Sequence, residues 1–190
     1  SVVDDADVTT LSLSASASVS EGGTITYTAS LTNPAETAMS VTLSNGAVIN
    51  IIAGASSGNV SVAAPSDDVY IDAGSVSATI ASSSGGNFES LTTNPAAAAT
   101  TITDTIDTTS VTLSSATAGS NVTEGGSIVY TATVDHLVTG TPLVVTLSNG
   151  QTITIPVGAL SADSAPFNVR ADDAYVDAND NLSVTITGTS

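Results

Sequence analysis

Apolar and polar residues alternate along most of this chain. Ile25, Tyr27, Ala29 and Leu31 are separated by Thr26, Thr28 and Ser30, and Ile153, Ile155 and Val157 repeat the spacing. A period of two places one side of the backbone in a core and the other in water, which describes half-buried strands. Turn signals interrupt the runs at Glu21-Gly22-Gly23, Ser44-Asn45-Gly46, Ala53-Gly54 and Gly85-Gly86. The Asn-Gly pair predicts a hairpin, because both positions tolerate positive φ. No stretch has a helical period. The pattern predicts an all-β, immunoglobulin-like sandwich of seven strands, A to G, over 8–19, 24–32, 39–44, 47–53, 58–63, 75–81 and 97–103.

The same pattern occurs twice. Val19-Ser20-Glu21-Gly22-Gly23-Thr24-Ile25-Thr26-Tyr27-Thr28-Ala29 returns as Val122-Thr123-Glu124-Gly125-Gly126-Ser127-Ile128-Val129-Tyr130-Thr131-Ala132. Val41-Thr42-Leu43-Ser44-Asn45-Gly46 returns as Val145-Thr146-Leu147-Ser148-Asn149-Gly150, and Asp67-Asp68-Val69-Tyr70-Ile71-Asp72-Ala73 as Asp172-Asp173-Ala174-Tyr175-Val176-Asp177-Ala178. Asp4, Asp7 and Thr9 align with Asp104, Asp107 and Thr109, so the boundary is expected near 104. Two sandwich modules end to end, 1–103 and 104–190, are the expected organisation. Ser190 aligns near Ser84, which leaves the second module without its last strand. Truncation or disorder is the plain explanation, and donor-strand association with another chain is the alternative.

Composition restricts the core and the partners. Hydrophobic residues make up 41% of the chain but aromatics only 3%, so Val, Ile, Leu and Ala must carry the packing. Eighteen acids face one base, Arg170, giving a formal net charge of −17. Such a surface has nothing with which to neutralise phosphate, which excludes nucleic acid and disfavours anionic membranes. No apolar run is long enough for a membrane helix, and no membrane insertion is expected. The start lacks the basic and apolar regions of a signal peptide, as expected of a piece cut from a longer protein. The absence of cysteine excludes disulfides and thiolate metal sites. A mean hydropathy of +0.33 with clear alternation argues against disorder.

So many acids require counterions. In an immunoglobulin-like order the A–B turn, the E–F loop and the end of strand G meet at one end of the module. That brings together Glu21, Asp67, Asp68, Asp72, Asp104 and Asp107. Like charges so placed repel, and calcium takes six to eight oxygens of this kind. Glu124, Asp172, Asp173 and Asp177 hold the corresponding places in the second copy. Acids in turns are often merely solvated; it is the recurrence of the group that favours Ca2+. Asp5, Glu36, Glu89, Asp135 and Asp163 have no recurring partner and are read as solvated. His136, the single histidine, has no counterpart in the first copy and no catalytic partners, and no enzyme is expected. Tyr27 with Tyr130, and Tyr70 with Tyr175, are expected to pack in the cores with their hydroxyls on backbone partners. Strand propensity accounts for runs such as Thr101-Ile102-Thr103.

The Val-x-Glu-Gly-Gly-x-Ile-x-Tyr-Thr-Ala segment, the Val-Thr-Leu-Ser-Asn-Gly hairpin and the Asp-Asp-x-Tyr-x-Asp-Ala loop, in that order and twice, resemble the repeats of giant LapA-type RTX adhesins. The glycine-rich nonapeptide of RTX β-rolls is absent. The resemblance implies a secreted Gram-negative surface protein that holds cells in biofilms, with arrays of such repeats as extenders and calcium at their linkers. The chain is therefore expected to be extracellular and monomeric, with neighbouring repeats as its partners. The alternative is a module that binds glycan or protein through its loops.

Overall fold

A computed structural model describes residues 7–190, and every regular element in it is a β-strand. Asp4 and Asp5 lie outside the described residues. The chain divides into two compact units, the first extending to Ile106 and the second spanning Asp107–Ser190.

The first unit contains β1 (Val8–Ala15), β2 (Ser18–Ser20), β3 (Thr24–Leu31), β4 (Met39–Leu43), β5 (Val48–Ile51), β6 (Ser57–Ala63), β7 (Gly74–Ala78), β8 (Ile80–Gly85), β9 (Ser90–Thr93) and β10 (Ala98–Thr103). One sheet has the order β6-β3-β1-β9. Opposite it stand β5-β4-β8 and β2-β10-β7, joined because β7 and β8 are one run interrupted at Thr79. Leu11, Ile25, Tyr27 and Ala29 from the first sheet share a core with Met39, Val41, Leu43, Ile49, Ile51 and Ile102 from the second. This is a sandwich whose inner faces follow the alternation in the sequence.

Two strands change partners part-way along their length. The first strand pairs with β3 as far as Ala15, and then β2 runs parallel to β10, with Ser18 opposite Thr101 and Ser20 opposite Thr103. At the second of these changes Ser44 clamps Thr79. Its hydroxyl accepts from Thr79 N at 3.1 Å and its N–H donates to Thr79 O at 2.9 Å. Ser148 and Thr185 repeat both bonds in the second unit. A register shift lies beside each clamp, at Thr42/Leu43 and at Thr146/Leu147.

The Asn-Gly hairpin forms, but with a different turn. Only Gly46 has positive φ, at 85°, and Gly46 N–H donates to Leu43 O while Leu43 N–H donates to Ala47 O. This is a three-residue loop closed by a left-handed glycine, and Asn45 acts through its side chain, which accepts from Ala47 N at 3.1 Å. Two further differences concern pairing. The alternation did not reveal β9, which adds parallel to β1, or the break at Thr79. Both depend on distant partners.

The second unit contains β11 (Val111–Ser115), β12 (Ser127–Ile128), β13 (Tyr130–Val134), β14 (Leu143–Leu147), β15 (Thr152–Ile155), β16 (Ser161–Asp163), β17 (Phe167–Asn168) and β18 (Ile186–Thr189). Its sheets are β11-β13-β16, β12-β17 and β15-β14-β18, around Ile128, Tyr130, Ala132, Val134, Val145, Leu147, Ile153 and Ile155. Among the described residues it has no counterpart of β9 or β10. Residues 180–184, which align with β7, form no ladder. The reason is that β7 is paired by β10 alone.

The tyrosine expectation requires correction. Tyr27 and Tyr130 are buried, but Tyr70 is half-buried and Tyr175 is 79% exposed. The Tyr27 hydroxyl is buried without a hydrogen-bond partner among the described residues.

Candidate metal centre

The Glu21-Gly22-Gly23 turn is pinned on both sides. Glu21 N–H donates to Thr103 O at 3.0 Å, and Gly22 N–H donates to Pro65 O at 2.7 Å. The turn between β2 and β3 is thereby tied to the end of β10 and to the start of the β6–β7 loop. Gly22 has φ of 67°, and a Cβ on Gly23 would lie 2.8 Å from Ser20 O, so both glycines are required by the backbone.

This arrangement directs Glu21 inward. Its side chain is 7% exposed, and the carboxylate meets Asp72 and Asp104, with one ligand oxygen from each of the three lying within 4.8 Å of the others. Glu21 Oε2 and Asp104 Oδ1 are buried without a hydrogen-bond donor among the described residues. Burial pushes the Glu21 carboxyl up to about 7, reinforced by Asp72, Asp104 and Asp68. The first unit has no lysine or arginine to offset these charges. Two oxygens bound to one calcium at 2.3–2.6 Å can be separated by at most about 5 Å, so the donor set suits a hard divalent cation.

The other expected ligands are placed differently. Asp68 folds back onto its own loop, accepting from Tyr70 N at 2.8 Å. Asp67 accepts from the Thr105 hydroxyl. Asp107 is exposed and begins the second unit. Glu36, Glu89, Asp135 and Asp163 are exposed as expected, yet each accepts a hydrogen bond from a residue distant in sequence: Asn87, Asp7 N, Ser110 N and Thr131 respectively. His136 Nδ1 lies 3.1 Å from Asp135 Oδ1.

In the second unit Asp173 repeats the turn of Asp68, accepting from Tyr175 N at 2.8 Å, and Asp172 is exposed. Glu124 and Asp177 do not stand alone. Both contact the Arg170 guanidinium, Asp177 at 3.4 Å from Nε, and Asp180 joins them at 3.3 Å from Nη1. Neither Arg170 nor Asp180 was among the residues expected at this site. The available signal was that the chain's single base stands two residues ahead of the Asp172-Asp173 loop.

No curated protein matches the chain. The family model of the LapA domain matches it twice, over residues 7–105 and 107–190, and these segments follow the two compact units closely. With the Glu-Gly-Gly turn, the Asn-Gly hairpin and the Asp-Asp loop all repeated, the chain belongs to the LapA domain family, as two of its adhesin-related modules in tandem.

Proposed function

We propose that this chain is a calcium-stabilised extender segment of a secreted bacterial surface adhesin, one that projects a distal binding domain from the cell in adhesion and biofilm formation. The observation that carries the proposal is the buried Glu21 carboxylate, which lacks a donor beside Asp72 and Asp104 in a unit without any basic side chain. Leaving such a group uncompensated is costly, and a cation removes the cost. Asp104 follows β10 directly, three residues before the second unit begins at Asp107, so an ion bound there would stiffen the segment by which the chain leaves the first unit. Ca2+ thus stiffens a spacer whose partners are the neighbouring repeats of the same chain.

Small-angle scattering tests this reading. The chain is expected to give a narrow distribution of particle lengths in calcium and a broad one in chelator. Asp104→Ala in calcium is expected to reproduce the chelated profile with both units folded. Identical profiles in calcium and chelator would remove the extender mechanism.

A further inference from the structure

The two acidic ends have the same backbone and different side chains. Gly22 N–H donates to Pro65 O at 2.7 Å, and Gly125 N–H donates to Arg170 O at 2.8 Å. Ala64 N–H donates to Gly23 O, and Val169 N–H donates to Gly126 O. A Cβ on Gly22 would meet Asp67 Cβ at 3.5 Å, and one on Gly125 would meet Asp172 Cβ at 3.4 Å. Pro65 and Arg170 are therefore equivalent positions. One offers only a carbonyl, while the other adds the chain's single permanent cation.

The guanidinium is placed where the acids of its unit converge. It donates to Glu124 through Nη2, contacts Asp177 through Nε, and through Nη1 donates to Asp180 and to the carbonyl of Ala178, each at 3.3 Å. Glu124 and Asp177 are the equivalents of Glu21 and Asp72, the pair that faces Asp104 in the first unit. No equivalent of Asp104 lies within the 190 residues, and Asp180 supplies the third carboxylate. In the first unit two acidic oxygens, Glu21 Oε2 and Asp104 Oδ1, are buried with no donor among the described residues. In the second each of these carboxylates is ion-paired with Arg170, and Glu124 and Asp180 also accept hydrogen bonds from it.

We propose that Arg170 is a built-in counterion that takes the place of the divalent cation at the second unit. The residue at this one position then determines whether a repeat requires calcium or neutralises itself. A planar guanidinium with five donors can hold several carboxylates at once, which a proline cannot. The tandem pair is accordingly asymmetric: calcium orders the acidic end of the first repeat and leaves that of the second unchanged. The calcium half of this statement rests on the function proposed above, whereas the counterion half does not.

Hydrogen exchange resolved by peptide on the full chain separates the two. In the parent protein, calcium at 100 times its dissociation constant is expected to slow exchange roughly a hundredfold in peptides covering 18–23 and 64–75, and to leave those covering 122–126 and 169–180 unchanged. Arg170→Gln is expected to transfer calcium-dependent protection to the second repeat, and Pro65→Arg to abolish it in the first. Equal calcium protection of both repeats in the parent, or no change in either variant, overturns the inference. If calcium protects neither repeat, the calcium reading falls and the variants in chelator decide the counterion role. Arg170→Gln must then speed exchange in 122–126 and 169–180, and Pro65→Arg must slow it in 18–23. Absence of either effect refutes Arg170 as a counterion.

Discussion

Withdrawing calcium is expected to lower the unfolding midpoint of the first unit by roughly 10–20 °C. The argument starts from Glu21, whose carboxylate is buried against two others with no cation in its unit. An ion bound only by the folded state, at 100 times its dissociation constant, adds about 2.7 kcal/mol. In a domain of this size each kcal/mol shifts the midpoint by about 4–8 °C. The effect has a pH signature of known sign. The Glu21 carboxyl rises from 4.5 to about 7 in the fold, so in chelator it remains protonated at pH 5 and the repulsion is suppressed. Through the window from 4.5 to 7 the unfolded chain loses that proton more readily than the folded one, and stability falls as the pH rises. The gap between calcium and chelator is therefore larger at pH 8 than at pH 5. Glu21→Gln is expected to melt above the parent in chelator at pH 8 and to lose most of the calcium response. Calorimetry measures each of these states, and superimposable traces with and without calcium would exclude an ion at this site.

Two substitutions at Tyr27 are expected to diverge sharply. Tyr27 is fully buried and is the largest of the fully buried side chains. Tyr27→Ala removes a ring from the centre of the first core and is expected to cost about 3–5 kcal/mol. Tyr27→Phe keeps the ring and deletes only a hydroxyl that has no partner. Burying such a group costs about 1–3 kcal/mol, so the phenylalanine variant is expected to equal or exceed the parent in stability. Denaturant midpoints distinguish these outcomes. A Phe variant less stable than the parent by more than about 1 kcal/mol would mean that the hydroxyl is bonded after all.

The strands were legible in the sequence because alternation directly reports which side of a backbone is buried. Ile25, Tyr27, Ala29 and Leu31 line the core as their spacing requires. Pairing was less legible, since it is a property of two segments. Nothing in Ser90–Thr93 announces that it will lie beside β1, and nothing at Thr79 announces that the strand will leave one partner for another. The acidic end was legible as a location and not as a set of ligands. Chain topology carries Glu21, Asp72 and Asp104 to one place, but the direction of each carboxylate depends on its own loop. Asp68 turns onto the Tyr70 amide and Asp67 onto the Thr105 hydroxyl. Arg170 escaped because a lone base in an acidic sequence was read only as a contribution to net charge.

The parallel pairing of β2 with β10 matters when the chain is pulled. The entering and leaving strands of the first unit lie side by side and point the same way, with Ser18, Val19 and Ser20 opposite Thr101, Ile102 and Thr103. Tension applied at the two ends drives them past each other lengthwise, so their rungs must give way together and cannot peel one at a time. Glu21 follows the first of these strands and Asp104 the second, and an ion held by both is a rivet across the sliding pair. Single-molecule stretching would show it as a higher rupture force in calcium than in chelator. If the chain is the calcium-stabilised adhesin spacer proposed above, a cell held to a surface in flowing water would be anchored partly by the hardness of that water.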